Sequence, residues 1–551
     1  MENLIVFKTL SQTEKCFLDE NIDSKSEYKT GSMLLGERFS FQLCYQNKLK
    51  NSYKIPAHIE VDSPIADIIS LCRVDCVPVR MAVSPSSDEN FLRREAGLYP
   101  DLLRPINEQT PIQITESLAS VWVDVKAPEN FKSGEYPIDF TLYDDEKNAL
   151  ATAHFDLTII NAVLPEQELI FTQWFHSDCL ATYYSEEVFS EQHWKIIENF
   201  IRAAVENGIN MILTPVLTPP LDTYVGGERP TVQLVDIFYK NGEWTFGFEK
   251  LDRWVKMCHN AGIKYFEISH LFTQWGAKHS PKVMAHTDNG YEKIFGWETE
   301  ANSEEYKNFL SAFLPALDGH LQQLGIADKC RYHISDEPSE EDLESYKTAK
   351  ETAQALLKNR IFMDALSDYK FYSDGVTENP VVATDHTDEF IENGVENLWV
   401  YYCCGQSNGV SNRFLAMPTY RTRIIGQQLY KYNIEGFLQW GYNFYYTQGS
   451  REFCNPYLIT DGGYWVPAGD AFSVYPAPDG TAYETIHLLG FTSALSDLRA
   501  FRLAEKLIGR EKVMSVIEEN GEVTFKEYPK SDSQILTVRE KINTLIKENI
   551  K

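Results

Sequence analysis

The sequence has no run of about 18 apolar residues, the length a membrane-crossing helix requires, so no span is expected. It has no dense cluster of Lys and Arg. With 51 basic against 80 acidic residues its formal charge is −29, which makes nucleic acid and anionic membranes poor partners, since both are held by grouped cations. There is no CxxC and no His/Cys spacing of a zinc site, so no metal is expected. The 10 cysteines are scattered along 551 residues, too thinly for a disulfide framework, and are expected to be reduced, buried thiols; the adjacent Cys403 and Cys404 are read the same way. A glycine-rich phosphate loop and a Gly-x-Ser-x-Gly elbow are both missing, and no cofactor is expected. The opening MENLIVFKTL carries an early acid, no basic region and only a short apolar run. It is not read as a secretory leader, and the expected location is cytoplasmic.

Aromatic residues are plentiful: 10 Trp, 30 Tyr and 31 Phe, 13% of the chain. Most must be core, but a surplus of Trp and Tyr also suits a site that stacks flat ligands or sugar faces. Residues 1–165 read as β: Phe39, Phe41, Leu43 and Tyr45 alternate with polar neighbours, as do Val121, Val123 and Val125, Ile138, Phe140 and Leu142, and Phe155, Leu157 and Ile159. Half-buried strands of this kind predict a β-sandwich. After the linker-like Val163-Leu164-Pro165 the pattern changes. Apolar segments at 170–175, 209–214, 264–269, 331–335, 361–364, 381–384, 398–402 and 435–440 alternate with helix-period stretches at 190–207, 249–261, 303–324, 339–358 and 482–508. Eight such units predict a multidomain α/β chain: a β-sandwich (1–165), an eightfold β/α barrel of the TIM type (166–510) and a small strand-and-helix appendage (511–551).

Barrels of this type carry their chemistry at the C-terminal ends of the strands. The segments ending there are Trp174-Phe175-His176-Ser177-Asp178, His270 with a loop holding Trp275, His333-Ile334-Ser335-Asp336-Glu337-Pro338, Asp364, Asp385-His386, Tyr401-Tyr402 and Trp440-Gly441-Tyr442-Asn443, followed by Asp470. Flat rings mixed with carboxylates and imidazoles suit a polar, stackable ligand such as a sugar. Asp336 and Glu337 are the sharpest feature. If the chain turns at the strand end, both carboxyls face the mouth, and two close carboxyls separate into an acid and a base. Plainer roles stay open: helix N-terminal acids for this pair, barrel packing for Trp174 and Trp440, satisfied core histidines for His176 and His333, turn caps for Asp178 and Asp470.

The run Tyr332-His333-Ile334-Ser335-Asp336-Glu337-Pro338 resembles the catalytic segment of glycoside hydrolase family 123, the β-N-acetylgalactosaminidases, and of a related domain. Gly436–Asn443, Pro467–Asp470, Tyr475-Pro476, Asp479-Gly480, Ser496–Ala500 and, upstream, Gly97–Leu103 resemble further segments in the same order. The resemblance implies a β-domain followed by a barrel, and a retaining exo-glycosidase that releases terminal β-linked N-acetylgalactosamine from a glycan. The substrate's 2-acetamido group would be the nucleophile, Glu337 the general acid/base and Asp336 the residue that orients the acetamide. The residues agree in one respect: Leu398–Asn408, after the seventh strand, has no Asp or Glu to serve as nucleophile. Two other readings stand beside it: a glycosidase with Glu337 as acid and Asp178, Asp364 or Asp385 as nucleophile or base, and a carbohydrate-binding protein without turnover.

Overall fold

The computed structural model describes residues 4–49, 54–107 and 111–550. Its N-terminal part is strand-rich. Ile5–Ser11, Arg38–Asn47, Ala119–Lys126, Ile69–Val79 and Gly97–Pro105 form one five-stranded sheet, and Thr30–Leu35, Ala149–Val163, Gly134–Asp144, Ile55–Asp62 and Ile112–Ile114 the other. The alternating apolar residues do what their period dictates: Phe41, Val123, Phe140, Phe155 and Leu157 meet in one core, with Phe41 stacked on Phe155 at 4.1 Å. Two strands of the first sheet, Arg38–Asn47 and Ala119–Lys126, are not half-buried, however. The sheet's second face carries Trp122, which packs with Ile486 and Leu489. The helix Ile486–Ile508 therefore covers that face, and Arg38–Asn47 is buried along nearly its whole length.

The second part is a mixed α/β body around a nearly closed parallel barrel of nine strands. Ile361–Phe362, Cys330–Tyr332, Tyr265–Ile268, Met211–Thr214, Ile170–Gln173, Gly436–Gln439, Trp399–Tyr401, Pro380–Ala383 and Asp364–Ala365 follow one another around it. The sheet opens between its two end strands, which are separated in the chain by Met363 alone. At that break the Ile334 N–H donates to the Asp364 carboxylate at 3.0 Å instead of to a backbone carbonyl, so ladder pairing stops there. Helices lie close to their expected places. Glu191–Glu206 is capped by Ser190, and Glu249–Ala261 ends on Gly262 at φ +111°. Ser339 does not cap the helix after it. Its hydroxyl donates to Asp342 at 2.7 Å, and the helix proper is Leu343–Leu356. The tail carries two helices, Arg510–Ile517 and Asp532–Asn549, in place of the expected strand and helix. Arg539 ties the last of them to Glu37 at 2.6 Å and to Asp497 at 3.0 Å, linking tail, first sheet and barrel helix. Among the described residues no helix is long and apolar enough to cross a membrane.

Candidate active site

At the C-terminal ends of the strands a cleft of about 180 Å³ opens between aromatic walls. Trp174, Trp275, Asp336, Glu337, Tyr401 and Trp440 line it, and so do four residues the strand-end reading missed or set aside: Asp222, Trp465, Cys403 and Cys404. His176, Asp178, His333, Tyr442, Asn443 and Asp470 do not.

The floor is a chain of buried polar groups. Glu267, at the centre, accepts hydrogen bonds from Thr172 Oγ1 (2.7 Å), Trp174 Nε1 (2.7 Å) and His333 Nε2 (2.6 Å). His333 Nδ1 faces Asp364 at 3.0 Å, and Asp364 also accepts from the Tyr346 hydroxyl at 2.6 Å. Burial opposes charge on His333, but its hydrogen bonds to the two carboxylates prevail and push it up to about 10. His270, stacked on it at 4.3 Å, is held neutral by burial and by that charge. His270, His333 and Asp364 bring donor atoms within 4.8 Å of one another, and both His270 nitrogens lack partners. Yet a metal ligand must be an unprotonated imidazole with a free nitrogen, and both His333 nitrogens are engaged, by Glu267 and Asp364. The cluster is better described as an imidazole clamped between two carboxyl groups under the cleft. Because the folded value lies above the ordinary 6.5, His333 stabilises the fold fully below about pH 6.5, and that contribution is lost as pH rises through about 10. The melting temperature should fall across this window, and His333→Gln should be less stable at pH 6 but lose much of the slope. Parallel curves for the two proteins would contradict the charged state.

Above the floor, Glu337 adopts φ +42°, a conformation that costs a non-glycine residue roughly 1–3 kcal/mol. Its N–H donates to Ala365 O at 3.1 Å. This turn lets consecutive side chains, opposed in a strand, share one cleft. Glu337 Oε1 accepts from the Tyr401 hydroxyl at 2.8 Å. Asp336 is half-buried. Burial, then the charges of Glu337 and Asp222, hold its carboxyl well above the usual carboxylate range, against the opposing charge of His333.

The Asp336 carbonyl accepts the Trp275 N–H at 3.0 Å, joining the carboxyl pair to the loop after the third strand. Trp275, Gly276 and Ala277 all have positive φ, and a Cβ on Gly276 would lie 2.5 Å from Asp342 Oδ1, so glycine is required there. Trp275 is 53% exposed. Trp440 is only 9% exposed and donates Nε1–H to Asp470 at 3.0 Å; burial pushes Asp470 up to about 7. The two tryptophans should therefore respond differently. Trp275→Ala should raise KM with the melting temperature unchanged. Trp440→Ala should weaken binding and also cost about 3–5 kcal/mol of stability, since it removes a packed ring and the partner of a buried carboxyl. Thermal melts beside steady-state kinetics check both.

The residues outside the cleft are braces. Arg229 grips Asp178 through two bonds of 2.6 and 2.8 Å and donates to His176 Nδ1 at 3.1 Å. Burial and Arg229 push His176 down to about 3. Asn443 bonds the His176 backbone on both sides, while Tyr442 donates to Phe200 O and stacks on Phe175. Asp364 is buried in the floor, and Asp385 is taken by His386 and Gln406. None of the three carboxylates considered as nucleophiles opens on the cleft.

The sequence profile of the glycoside hydrolase 123 catalytic domain matches residues 174–504, a segment that contains every cleft residue named above. The chain belongs to glycoside hydrolase family 123. It is thus a glycoside hydrolase by family. No curated protein matches it. Among solved structures, a family 123 glycoside hydrolase from Clostridium perfringens, described in connection with glycolipid glycan hydrolysis, superposes with a TM-score of 0.74 at 16% identity, covering 99% of each chain. A β-glucuronidase from Parabacteroides merdae is far looser, with a TM-score of 0.32 at 10% identity over 89% of this chain and 52% of that one.

Proposed function

We propose that this family 123 enzyme is a retaining exo-β-N-acetylgalactosaminidase that uses its substrate's 2-acetamido group as nucleophile. The observation that carries the reading is the environment of Glu337: the adjacent carboxyl is Asp336, and at the end of strand Trp399–Tyr401 stands Tyr401, bonded to Glu337, where a carboxylate nucleophile would otherwise sit. In this mechanism Glu337 protonates the departing glycosidic oxygen while the acetamide oxygen attacks the anomeric carbon. An oxazolinium ion forms, and Glu337 then deprotonates the water that opens it. Asp336 accepts the amide N–H and offsets the developing positive charge. In the free site burial and neighbouring carboxylates favour a proton on Asp336; the amide N–H and the nascent cation favour its loss. The natural substrate is taken to be a glycan ending in β-GalNAc, or more broadly β-HexNAc, with glycolipid glycans suggested by the clostridial relative.

A second reading gains one candidate. Asp222 is a third carboxyl in the cleft, and a two-carboxylate enzyme would use it as nucleophile. Burial pushes it up to about 7, which disfavours the anion such a role needs. Chromogenic β-GalNAc, β-GlcNAc and β-Gal substrates, each with and without a thiazoline inhibitor, separate the readings. Preference for β-Gal, or indifference to the thiazoline, would end the first one. The same reading takes the barrel as eightfold with its fifth strand interrupted at Met363, and keeps the limits 1–165, 166–510 and 511–551.

A further inference from the structure

Three of the cleft's ring donors are already engaged. The indole N–H groups of Trp174 and Trp440 are both spent on buried carboxylates behind the walls, Glu267 and Asp470, and the Tyr401 hydroxyl is spent on Glu337. These rings offer faces to a ligand and no donors. What remains is three carboxyls, Asp336, Glu337 and Asp222, beside the indoles of Trp275 and Trp465 and the thiols of Cys403 and Cys404. A ligand matching such a cleft brings donors of its own, and a sugar brings hydroxyls.

Asp222 is held with care for a loop residue. It has φ +44°, a strained conformation for aspartate. Its N–H donates to Gln274 Oε1 at 2.5 Å, and its carbonyl accepts from Ser450 Oγ at 2.6 Å. The neighbouring Tyr224 N–H is bound by Gly449 O at 3.0 Å. Loops after Met211–Thr214, Tyr265–Ile268 and Gly436–Gln439 thus converge to fix one carboxyl at the cleft. Arg229, whose charge reaches it, is occupied by Asp178. No ion pair satisfies Asp222 among the described residues, so the positioning serves something other than a salt bridge.

We propose that Asp222 is a further substrate-binding residue whose carboxyl group accepts hydrogen bonds from ring hydroxyls of the sugar being released. This rests on the glycosidase reading above and adds a division of labour: Glu337 serves the glycosidic oxygen, Asp336 the acetamide, and Asp222 the hydroxyls by which sugars are told apart.

Because φ is positive, Asp222→Gly removes the carboxyl while relieving rather than adding strain, and Asp222→Asn keeps the side chain's shape. Both would be assayed, with thermal melts to confirm folding, on the aryl glycoside the wild type hydrolyses best and on its 3-, 4- and 6-deoxy analogues. A hydrogen bond to a carboxyl group, neutral or ionised, supports a loss of about 3- to 100-fold in kcat/KM for Asp222→Gly on the parent sugar. The wild type should lose a similar factor on one deoxy analogue, whereas Asp222→Gly should lose almost nothing more on that same analogue, the non-additivity expected of two groups that touch. Losses that simply multiply at every position, or wild-type kinetics in the variant, would overturn the inference. So would restoration of Asp222→Gly by azide as an anomer-inverted glycosyl azide, which would make Asp222 the nucleophile. If the wild type hydrolyses none of the parent glycosides, it is the glycosidase reading that has failed.

Discussion

Glu337→Gln is expected to lose about 10²- to 10⁴-fold in kcat on a natural glycan, the range that general acid–base catalysis contributes. An alkoxide leaving group with an ordinary sugar pKa departs only if it is protonated as the bond breaks, and Glu337 is the cleft carboxyl held by a neutral donor, Tyr401. Glutamine preserves side-chain length and the strained φ of +42°, so the loss will not be a folding artefact. The deficit should shrink sharply on a dinitrophenyl glycoside, whose leaving group needs no proton. There azide should accelerate the reaction and yield a glycosyl azide of retained configuration, because a small anion can open the oxazolinium without base assistance. Equal losses on good and poor leaving groups would remove Glu337 from the acid role.

The sequence made part of this site legible for a geometric reason. The residue that ends a barrel strand projects to the mouth, so Trp174, Tyr401 and Trp440 follow from locating strands, and Asp336 and Glu337 follow from the strand before them. Asp222 and Trp465 do not obey that rule. Irregular loops deliver them, and long-range bonds set the course of those loops: Asp222 to Gln274, and Tyr224 to Gly449. No period in the sequence encodes such pairings. For the same reason His176, Asp178 and Asn443 lie near strand ends yet turn away from the cleft, since Arg229, 51 positions beyond Asp178, claims that carboxylate. The fold shows the same division. Alternation disclosed Arg38–Asn47 and Ala119–Lys126 in the first sheet and Gly134–Asp144 and Ala149–Val163 in the second, but could not disclose that Ile486–Ile508 packs on the first sheet's second face, or that Arg539 in the tail would find Glu37 502 positions earlier.

Asp336→Asn should lower kcat by about 10²–10³-fold, the usual cost of removing one group that stabilises transition-state charge, with a much smaller change in KM. Asparagine still offers an oxygen to the amide N–H, so ground-state binding largely survives. The negative charge that answers the oxazolinium does not, and an interaction strongest in the transition state is lost from kcat. The pH profile adds a sign. Burial and the charges of Glu337 and Asp222 raise Asp336 well above the usual carboxylate range, and the mechanism needs it ionised, so wild-type kcat/KM should fall as pH drops through that raised value. In Asp336→Asn the corresponding acid limb should be lost. Azide should not rescue this variant as an anomer-inverted product, because no enzyme nucleophile has been removed, and the glycoside without its N-acetyl group should be a very poor substrate for the wild type. The deciding measurement is mass spectrometry of the intact protein after incubation with a 2-fluoro glycoside. Substrate assistance requires that no covalent adduct accumulate. A stable adduct on Asp336, or on Asp222 across the cleft, would instead assign the enzyme its own nucleophile.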